Sequence, residues 1–197
     1  MRLYDFEGSG NCYKVRLLLA LLGVGYERVP VNSVTGETLT PEFRRLNPRG
    51  QIPVLEDGGE VIWDSQAILV YLARRYGGEQ WLPQDALGLA RVMQWLAVSE
   101  NELLYGLARA RVVLRFGRPF NLDEAQTLGR AGLAVLEQHL EQRHWLAAEQ
   151  PTIADIACFP YVDLAPEGGL PLDGYPAIRG WLERIRALPG YVPMSVA

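Results

Sequence analysis

The feature that most constrains this chain is a change in hydrophobic periodicity near residue 77. Up to that point strand-like and helix-like segments alternate in the order β-α-β-α-β-β-α, and beyond it the apolar residues recur at helical spacing alone. A βαβ unit followed by a hairpin forms a mixed sheet with helices packed against it. The pattern therefore predicts an α/β domain over 1–77, a turn-rich linker over 78–85 and an all-helical domain over 86–197.

Residues that start and stop regular structure set the predicted boundaries. Asp57-Gly58-Gly59 is a strong hairpin signal, and Asp64-Ser65 is a preferred helix start. Thr152 and Asp155 have the spacing of a capping box, with Asp in place of Glu. The predicted strands cover 2–6, 26–31, 52–55 and 60–63. Helices are predicted to begin at 11, 41, 64 and 152, and further helices are predicted over 86–116, 123–145 and 178–188.

Composition and charge exclude several classes of protein. The 197 residues are 49% hydrophobic and carry a net charge of −4, so the basic excess of a nucleic-acid-binding protein is absent. No apolar run reaches the roughly 18 residues that a membrane span needs, and the N-terminus lacks the apolar core of a signal peptide. We therefore expect a cytoplasmic protein without nucleic-acid or membrane partners.

The cysteines and histidines are poorly spaced for binding a metal. Cys12 and Cys158 lie far apart and form neither a disulfide framework nor a zinc motif. His139 and His144 are five residues apart, which places them on different faces of a helix. We expect no metal and two reduced cysteines, with Cys158 in the core.

A glycine-flanked serine follows the first predicted strand. The segment 8–10 lacks the third glycine of a dinucleotide fingerprint, because position 13 is Tyr13. No histidine precedes His139 to act as a base for Ser9, and the nucleophile-elbow motif is absent, so the sequence does not favour a serine hydrolase. A hydroxyl at a helix N-terminus can instead donate a hydrogen bond to a thiolate of a ligand. The alternative is that Ser9 and Asn11 only cap the helix.

A proline stands at the entry of the third predicted strand. If the Ile52–Pro53 bond is cis, the N–H and C=O of Ile52 are left unpaired and can bind an extended peptide as an added strand. The alternative is an ordinary trans proline in a turn.

Asp64 and Ser65 open the helix that follows the hairpin. The carboxylate can bind an ammonium group, and the hydroxyl with the helix N–H groups can bind a carboxylate, although simple capping is the alternative. These loops all flank strands of one small sheet, so they can converge on a ligand with a thiol, a peptide backbone and an α-amino acid end. Glutathione has these three parts.

Several segments closely resemble the glutathione S-transferase family. They are 40–43, 46–55, 64–72, Ser9 with 15–17, and the capping box at 152–155. The resemblance extends over the whole chain. It implies a thioredoxin-like N-terminal domain, an all-helical C-terminal domain and a homodimer with the active site near the subunit interface.

The resemblance also implies roles for individual residues. Ser9 corresponds to the hydroxyl that activates glutathione in the serine-type classes. Ile52, before the cis-proline Pro53, corresponds to the residue that pairs with the cysteinyl backbone. Asp64 and Ser65 correspond to the pair that holds the γ-glutamyl end. Gln51 is a weaker candidate for a contact with glutathione.

Two positions depart from the family pattern. Asn11 stands where some bacterial classes have a cysteine, and members with asparagine there resemble disulfide-bond reductases. Ser9 and Asn11 therefore share or contest the activating role. Cys12, one position later, could form a mixed disulfide with glutathione, but we expect its side chain to face the helix body.

The leading hypothesis is a detoxifying glutathione transferase that attacks a small electrophile with glutathione thiolate, glutathione being the co-substrate. The alternatives are a glutathione-dependent disulfide-bond reductase and a non-catalytic binding or interaction protein on the same scaffold. Tyr105 and Arg109 are candidates for the electrophile pocket. The polar residues 100–102 either line the dimer cleft or form a solvated face.

Overall fold

Four short strands form one mixed sheet in the first part of the chain. The computed structural model describes residues 1–194. The strands are β1 (Arg2–Asp5), β2 (Glu27–Pro30), β3 (Val54–Asp57) and β4 (Glu60–Trp63). Their order is β2-β1-β3-β4, with β1 and β2 parallel and the other pairs antiparallel. This confirms the predicted mixed sheet. β3 begins at Val54 and not at Ile52, because Pro53 has no N–H to donate to a ladder.

Side-chain caps start the helices of this first unit. Its helices are α1 (Gly10–Leu21), a 3₁₀ turn (Glu37–Leu39), α2 (Pro41–Leu46), α3 (Ser65–Leu72) and a π-type turn (Ala73–Gly77). Ser9, Thr40 and Asp64 each accept a hydrogen bond from a backbone N–H of the first turn that they precede. α1 packs against α3. Local capping therefore fixes where each helix starts.

A C-terminal segment packs with the first unit. The described chain separates into two compact units. One is Met1–Gly78 together with residues 189–194, and the other is Glu79–Leu188. The Tyr13 hydroxyl donates to the Val192 carbonyl at 2.7 Å. A Cβ on Gly190 would lie 2.9 Å from the Ala20 carbonyl oxygen, so the segment passes close to α1. The helical domain expected over 86–197 thus does not include 189–194, because these contacts tie that segment to α1.

Helices make up the second unit, as predicted. They are α4 (Gly78–Trp81), α5 (Ala86–Val98), a π-type segment (Ser99–Ala108), α6 (Arg109–Phe116), α7 (Leu122–Leu140), α8 (Ile153–Asp163), a 3₁₀ turn (Ala165–Gly168) and α9 (Pro176–Arg186). α4 lies within the stretch that was expected to be a linker. α7 ends at Leu140, before the predicted 145. The Gln142 and Arg143 N–H groups donate three residues back in a tight turn, and the Leu146 N–H donates to the Asp155 carboxylate at 3.0 Å.

α8 is buried along its length and begins with the predicted capping box. The Asp155 carboxylate accepts from the Thr152 N–H at 2.9 Å and from the Trp181 indole N–H at 2.9 Å. Burial raises the pKa of Asp155, and these donors oppose that effect. Asp155 therefore joins three parts of the helical unit: the start of α8, the segment after α7, and α9.

Glycines allow α7 to approach the π-type segment (Ser99–Ala108) closely. A Cβ added to Gly106 would lie 2.4 Å from the Gly129 backbone nitrogen. A Cβ added to Gly132 would lie 2.9 Å from the Glu102 Cβ. No side chain fits between these helices at the two points, so the position of the π-type segment depends on the glycines.

We expect Gly106→Ala to destabilise the protein by about 1–3 kcal/mol, because the new methyl group meets backbone that cannot rotate away. Gly180→Ala is the matched control. It lies in α9, where an added Cβ meets only the end of the Arg184 side chain at 3.4 Å, and it should be neutral or stabilising by up to about 1 kcal/mol. Urea unfolding measures both. Equal effects of the two substitutions would contradict the close approach.

Candidate functional site

The strand register brings three loops to the same end of the sheet. Tyr4 of β1 is opposite Val54 of β3, which is opposite Trp63 of β4. Because β3 runs antiparallel to both neighbours, the end of β1, the start of β3 and the end of β4 are adjacent. The residues expected at the site follow these strand ends: Ser9 and Asn11 after β1, Gln51, Ile52 and Pro53 before β3, and Asp64 and Ser65 after β4.

Ser9 is partly exposed at the N-cap of α1. Its Oγ accepts a hydrogen bond from the Cys12 N–H at 3.3 Å, with an extended backbone at φ −85° and ψ 121°. A hydroxyl that accepts in a cap keeps its own hydrogen for another acceptor. Capping and ligand binding are therefore compatible roles for this side chain, and a bound anion would also meet the positive end of the α1 dipole.

A buried carboxylate holds the loop that carries Ser9. Asp5 is fully buried and forms ion pairs with Arg16 and Arg28. The Arg16 guanidinium also donates to the Glu7 carbonyl at 3.0 Å. Since a buried charge is tolerated only when it is paired, this network fixes the path of the chain between β1 and Ser9.

Asn11 and Cys12 differ sharply in their surroundings. Within residues 1–194, the Asn11 Oδ1 is a buried acceptor without a hydrogen-bond partner. Cys12 is fully buried, and burial together with the negative charge of Asp5 raises the pKa of its thiol to about 12. The Cys12 thiol is therefore protonated and inaccessible, as expected for a side chain that faces the helix body, and this argues against a mixed disulfide.

Asn47 and Gly50 shape the loop that leads into β3. Asn47 is buried, donates to the Gln51 carbonyl at 2.7 Å and accepts from the Arg49 N–H at 3.0 Å. Gly50 has φ +61°, and a Cβ there would lie 2.8 Å from the Thr38 carbonyl oxygen. Only glycine fits this turn. Sequence analysis did not identify this bracing, although asparagine and glycine flanking a turn are a recognisable signal.

The Ile52–Pro53 peptide bond is cis, as the family resemblance implies. Pro53 is buried, whereas Ile52 is partly exposed and Gln51 is exposed. Ile52 precedes the first ladder residue, Val54, so its backbone groups lie beyond the end of the β3 pairing.

Asp64 adopts an unusual backbone conformation at the N-cap of α3. Its φ is +79°, in the region of positive φ that residues other than glycine rarely occupy. One carboxylate oxygen accepts from the Gln66 N–H at 2.9 Å, and the other accepts from the Arg49 guanidinium at 3.0 Å. Ser65 is buried at the first position of the helix, where its N–H has no partner within the helix.

Arg49 is the residue of this region that sequence analysis missed. Its ion pair with Asp64 joins the loop before β3 to the loop after β4. The available signal was that this arginine lies inside a segment already matched to the family.

Two other sequence expectations concern the second unit. For the electrophile pocket, Arg109 contacts the Tyr105 ring, and for the polar residues 100–102, the Asn101 amide donates to the Ala97 carbonyl at 2.9 Å, back within its own helix.

Metal-binding clusters and membrane-spanning helices are both absent from the described residues. No group of three or more His, Cys, Asp or Glu side chains that could hold a metal ion occurs among residues 1–194. No helix in the described part of the chain combines the length and the apolar character needed to cross a bilayer.

Comparisons with known proteins agree on one family. Residues 3–80 match the N-terminal domain of glutathione S-transferases, and residues 112–189 match their C-terminal domain. The maleylacetoacetate isomerase of Pseudomonas aeruginosa is 34% identical, covering 97% of this chain and 93% of the relative. The disulfide-bond oxidoreductase YfcG of Escherichia coli is 30% identical, covering 93% of this chain and 89% of the relative.

The fold is also that of a solved relative. A possible glutathione S-transferase from Rhodopseudomonas palustris superposes with a TM-score of 0.92 at 36% identity, covering 100% of this chain and 98% of the other. This confirms the expected fold, a thioredoxin-like α/β domain followed by an all-helical one.

The conformation of Asp64 predicts an order of stability for three variants. Asp64→Ala should cost about 1–2 kcal/mol, because it removes the cap and the Arg49 ion pair while the Cβ at positive φ remains. Asp64→Gly should cost only a few tenths of a kcal/mol, since glycine relieves the strain, and Asp64→Asn should cost less than about 1 kcal/mol, because it keeps the cap and loses only the exposed ion pair. Urea unfolding gives the order. If the glycine variant is as unstable as the alanine variant, backbone strain does not contribute.

Proposed function

Because this chain belongs to the glutathione S-transferase family, we propose that it holds glutathione as the thiolate for attack on a small electrophile. The observation that most strongly supports this proposal is the order of the three loops across the sheet. The Ser9 loop follows β1, Ile52 precedes β3, and Asp64 follows β4. Glutathione has its thiol, its cysteinyl backbone and its γ-glutamyl end in the same order.

The width of the sheet supports the same ligand. Two strand spacings separate β1 from β4, which is roughly 10 Å. The cysteinyl sulfur of glutathione is joined to its γ-glutamyl nitrogen by about eight bonds, which when extended span roughly 9–10 Å. A glutathione that places its sulfur at Ser9 can therefore reach Asp64, with its cysteinyl backbone passing Ile52.

Each contact has a plain chemical reason. The backbone N–H and C=O of Ile52 lie beyond the ladder and pair with the cysteinyl backbone. The γ-glutamyl ammonium lies against the Asp64 carboxylate, which Arg49 holds in place. The γ-glutamyl carboxylate is bound by the N–H and hydroxyl of Ser65 at the start of α3, and Gln51 is a further contact from the exposed loop.

Ser9 supplies the activation. A thiol with a pKa of about 8.5 is ionised only to a few per cent at pH 7, and lowering that pKa by about 2 units takes roughly 2.7 kcal/mol. A charge-assisted hydrogen bond contributes about 1.5–3 kcal/mol, and the helix dipole adds about 0.3–1 kcal/mol. The Ser9 hydroxyl and the N-terminus of α1 together are sufficient. The thiol proton leaves to solvent, and the thiolate attacks the electrophile.

The proposal includes the setting of the enzyme. We place it in the cytoplasm, in detoxification, as a homodimer. The homodimer is supported by exposed apolar side chains on α5, where Leu87 is 60% and Met93 51% exposed. Sedimentation at micromolar concentration distinguishes the dimer from a monomer.

A second candidate is a glutathione-dependent disulfide-bond reductase. It is favoured by Asn11, whose Oδ1 is a buried acceptor without a partner among residues 1–194, and by the similarity to a disulfide-bond oxidoreductase. This candidate requires a model disulfide such as 2-hydroxyethyl disulfide to be turned over faster than an aryl halide. A transferase should instead turn over the aryl halide faster than the disulfide.

A third candidate is a protein that binds without catalysis. Millimolar glutathione should raise the melting temperature in either enzyme, because a ligand that binds only the folded state stabilises it by RT ln(1 + [L]/Kd). S-methylglutathione, which lacks the ionisable thiol, is the matched ligand. No shift with either ligand would exclude both enzymatic candidates, whereas a shift without turnover would support the binding protein.

Ser9→Ala should lower kcat about 100-fold and leave the KM for glutathione within about twofold, since the hydroxyl acts on the thiolate and not on the rest of the tripeptide. Ser9→Thr should restore most of the rate. Ultraviolet titration of bound glutathione should show the thiol pKa rising in the alanine variant, so that at pH 7 less thiolate is present.

The cap that Ser9 provides requires a control, because its loss costs about 1 kcal/mol of stability. Thr40→Ala removes an equivalent cap from α2 and should lower stability by a similar amount without changing kcat. An unchanged rate in Ser9→Ala, together with a reduced rate in Asn11→Ala, would transfer the activating role to Asn11.

A further inference from the structure

One arginine of the helical unit is held by aromatic rings and not by a carboxylate. The Arg109 guanidinium carbon lies 4.2 Å from the centre of the Tyr105 ring and 4.9 Å from the centre of the Phe120 ring. Both rings are open to solvent, with 44% of Tyr105 and 45% of Phe120 exposed. Rings over the face of a guanidinium leave its N–H edge available for an anion.

Neighbouring arginines on α6 are used differently. The Arg111 side chain pairs with Glu167 at 2.7 Å, and the Arg115 side chain reaches the same carboxylate at 3.6 Å. Within residues 1–194, Arg109 forms no ion pair, and its interactions are those with the two rings. Within these residues, no carboxylate thus neutralises the charge of Arg109.

Local backbone structure brings the three side chains together. Tyr105 lies in the π-type segment (Ser99–Ala108), and such wide turns are frequent at functional sites. α6 ends in a Schellman motif: Gly117 has φ +62° and donates to the Val113 carbonyl, and the Arg118 N–H donates to the Val112 carbonyl. That turn reverses the chain and places Phe120 back against Arg109.

We propose that Arg109, Tyr105 and Phe120 form a recognition site for an aromatic carboxylate, and that the second substrate is an aryl electrophile with a carboxylate group. The guanidinium edge binds the carboxylate through two parallel hydrogen bonds, and the exposed rings contact the aryl body. This inference rests on the proposed transferase function. Because Arg109 discriminates between substrates, it is a specificity-determining residue and takes no part in thiol activation.

Two aryl chlorides that react by the same aromatic substitution test whether Arg109 selects for a carboxylate. They are 4-chloro-3,5-dinitrobenzoate and its neutral carboxamide; in each, a C–S bond forms to the glutathione sulfur and chloride leaves. Arg109→Ala should lower kcat/KM for the carboxylate about 10-fold to 100-fold, mainly through KM, the loss expected for a hydrogen-bonded charged group. The value for the carboxamide should change less than about threefold. Arg109→Lys, which keeps the charge and loses the fork, should be intermediate.

Arg130→Ala removes the same charge from the exposed face of α7 and should affect the two substrates equally. Binding of unreactive 3,5-dinitrobenzoate, measured by calorimetry without glutathione, gives a readout that needs no catalysis. Binding that Arg109→Ala abolishes supports the inference even if no aryl chloride is turned over, a result that would overturn only the proposed function. Equal losses for both chlorides, or no binding of the dinitrobenzoate by the unsubstituted protein, would overturn the inference.

Discussion

The pairing of β3 with β1 on one side and β4 on the other is the constraint on which the candidate site depends. The residues opposite one another in this register are Tyr4, Val54 and Trp63. Because side chains alternate between faces and strand ends carry the loops, a register shift would move every one of the three loops relative to the others. The site is therefore not a property of any single motif. It arises because two antiparallel pairings place three separate parts of the chain next to each other.

Each loop is then fixed by a polar side chain with several partners. Asp5 is paired with two arginines below the Ser9 loop, Asn47 bridges the loop before β3, and Asp64 caps α3 while it binds Arg49. Such groups are costly when they lose a partner, since the remaining partner is left unsatisfied. This explains how short loops with few apolar residues can keep a fixed geometry at the end of a sheet.

Sequence patterns predicted which helices and strands form better than they predicted the residues at which these end. Alternating periodicity, the turn at 57–59 and the cap at Thr152 depend on residues close together in the chain, so they could be recognised. The end of α7 could not, because no glycine or proline marks it, and the segment that follows bonds to Asp155 of α8 through the Leu146 N–H. The return of 189–194 to α1 involves a hydrogen bond from the Tyr13 hydroxyl to the Val192 carbonyl and a close approach at Gly190. These are tertiary contacts between residues distant in sequence, and no local pattern records them.

The candidate site was predictable for a different reason. The positions of Ser9, Ile52 and Asp64 follow from strand ends, and strand ends can be located from periodicity. Arg49 was missed because its importance lies in its partner and not in its spacing. The contrast extends to the helical unit, where Tyr105 and Arg109 are one helical turn apart, whereas Phe120 reaches them only through the Schellman turn at Gly117. In the proposed mechanism, thiol activation relies on the N-terminus of α1 and the Ser9 hydroxyl, both of which follow directly from the fold. The recognition site proposed for the second substrate instead depends on side chains that irregular turns bring together, and those side chains can change without disturbing the sheet.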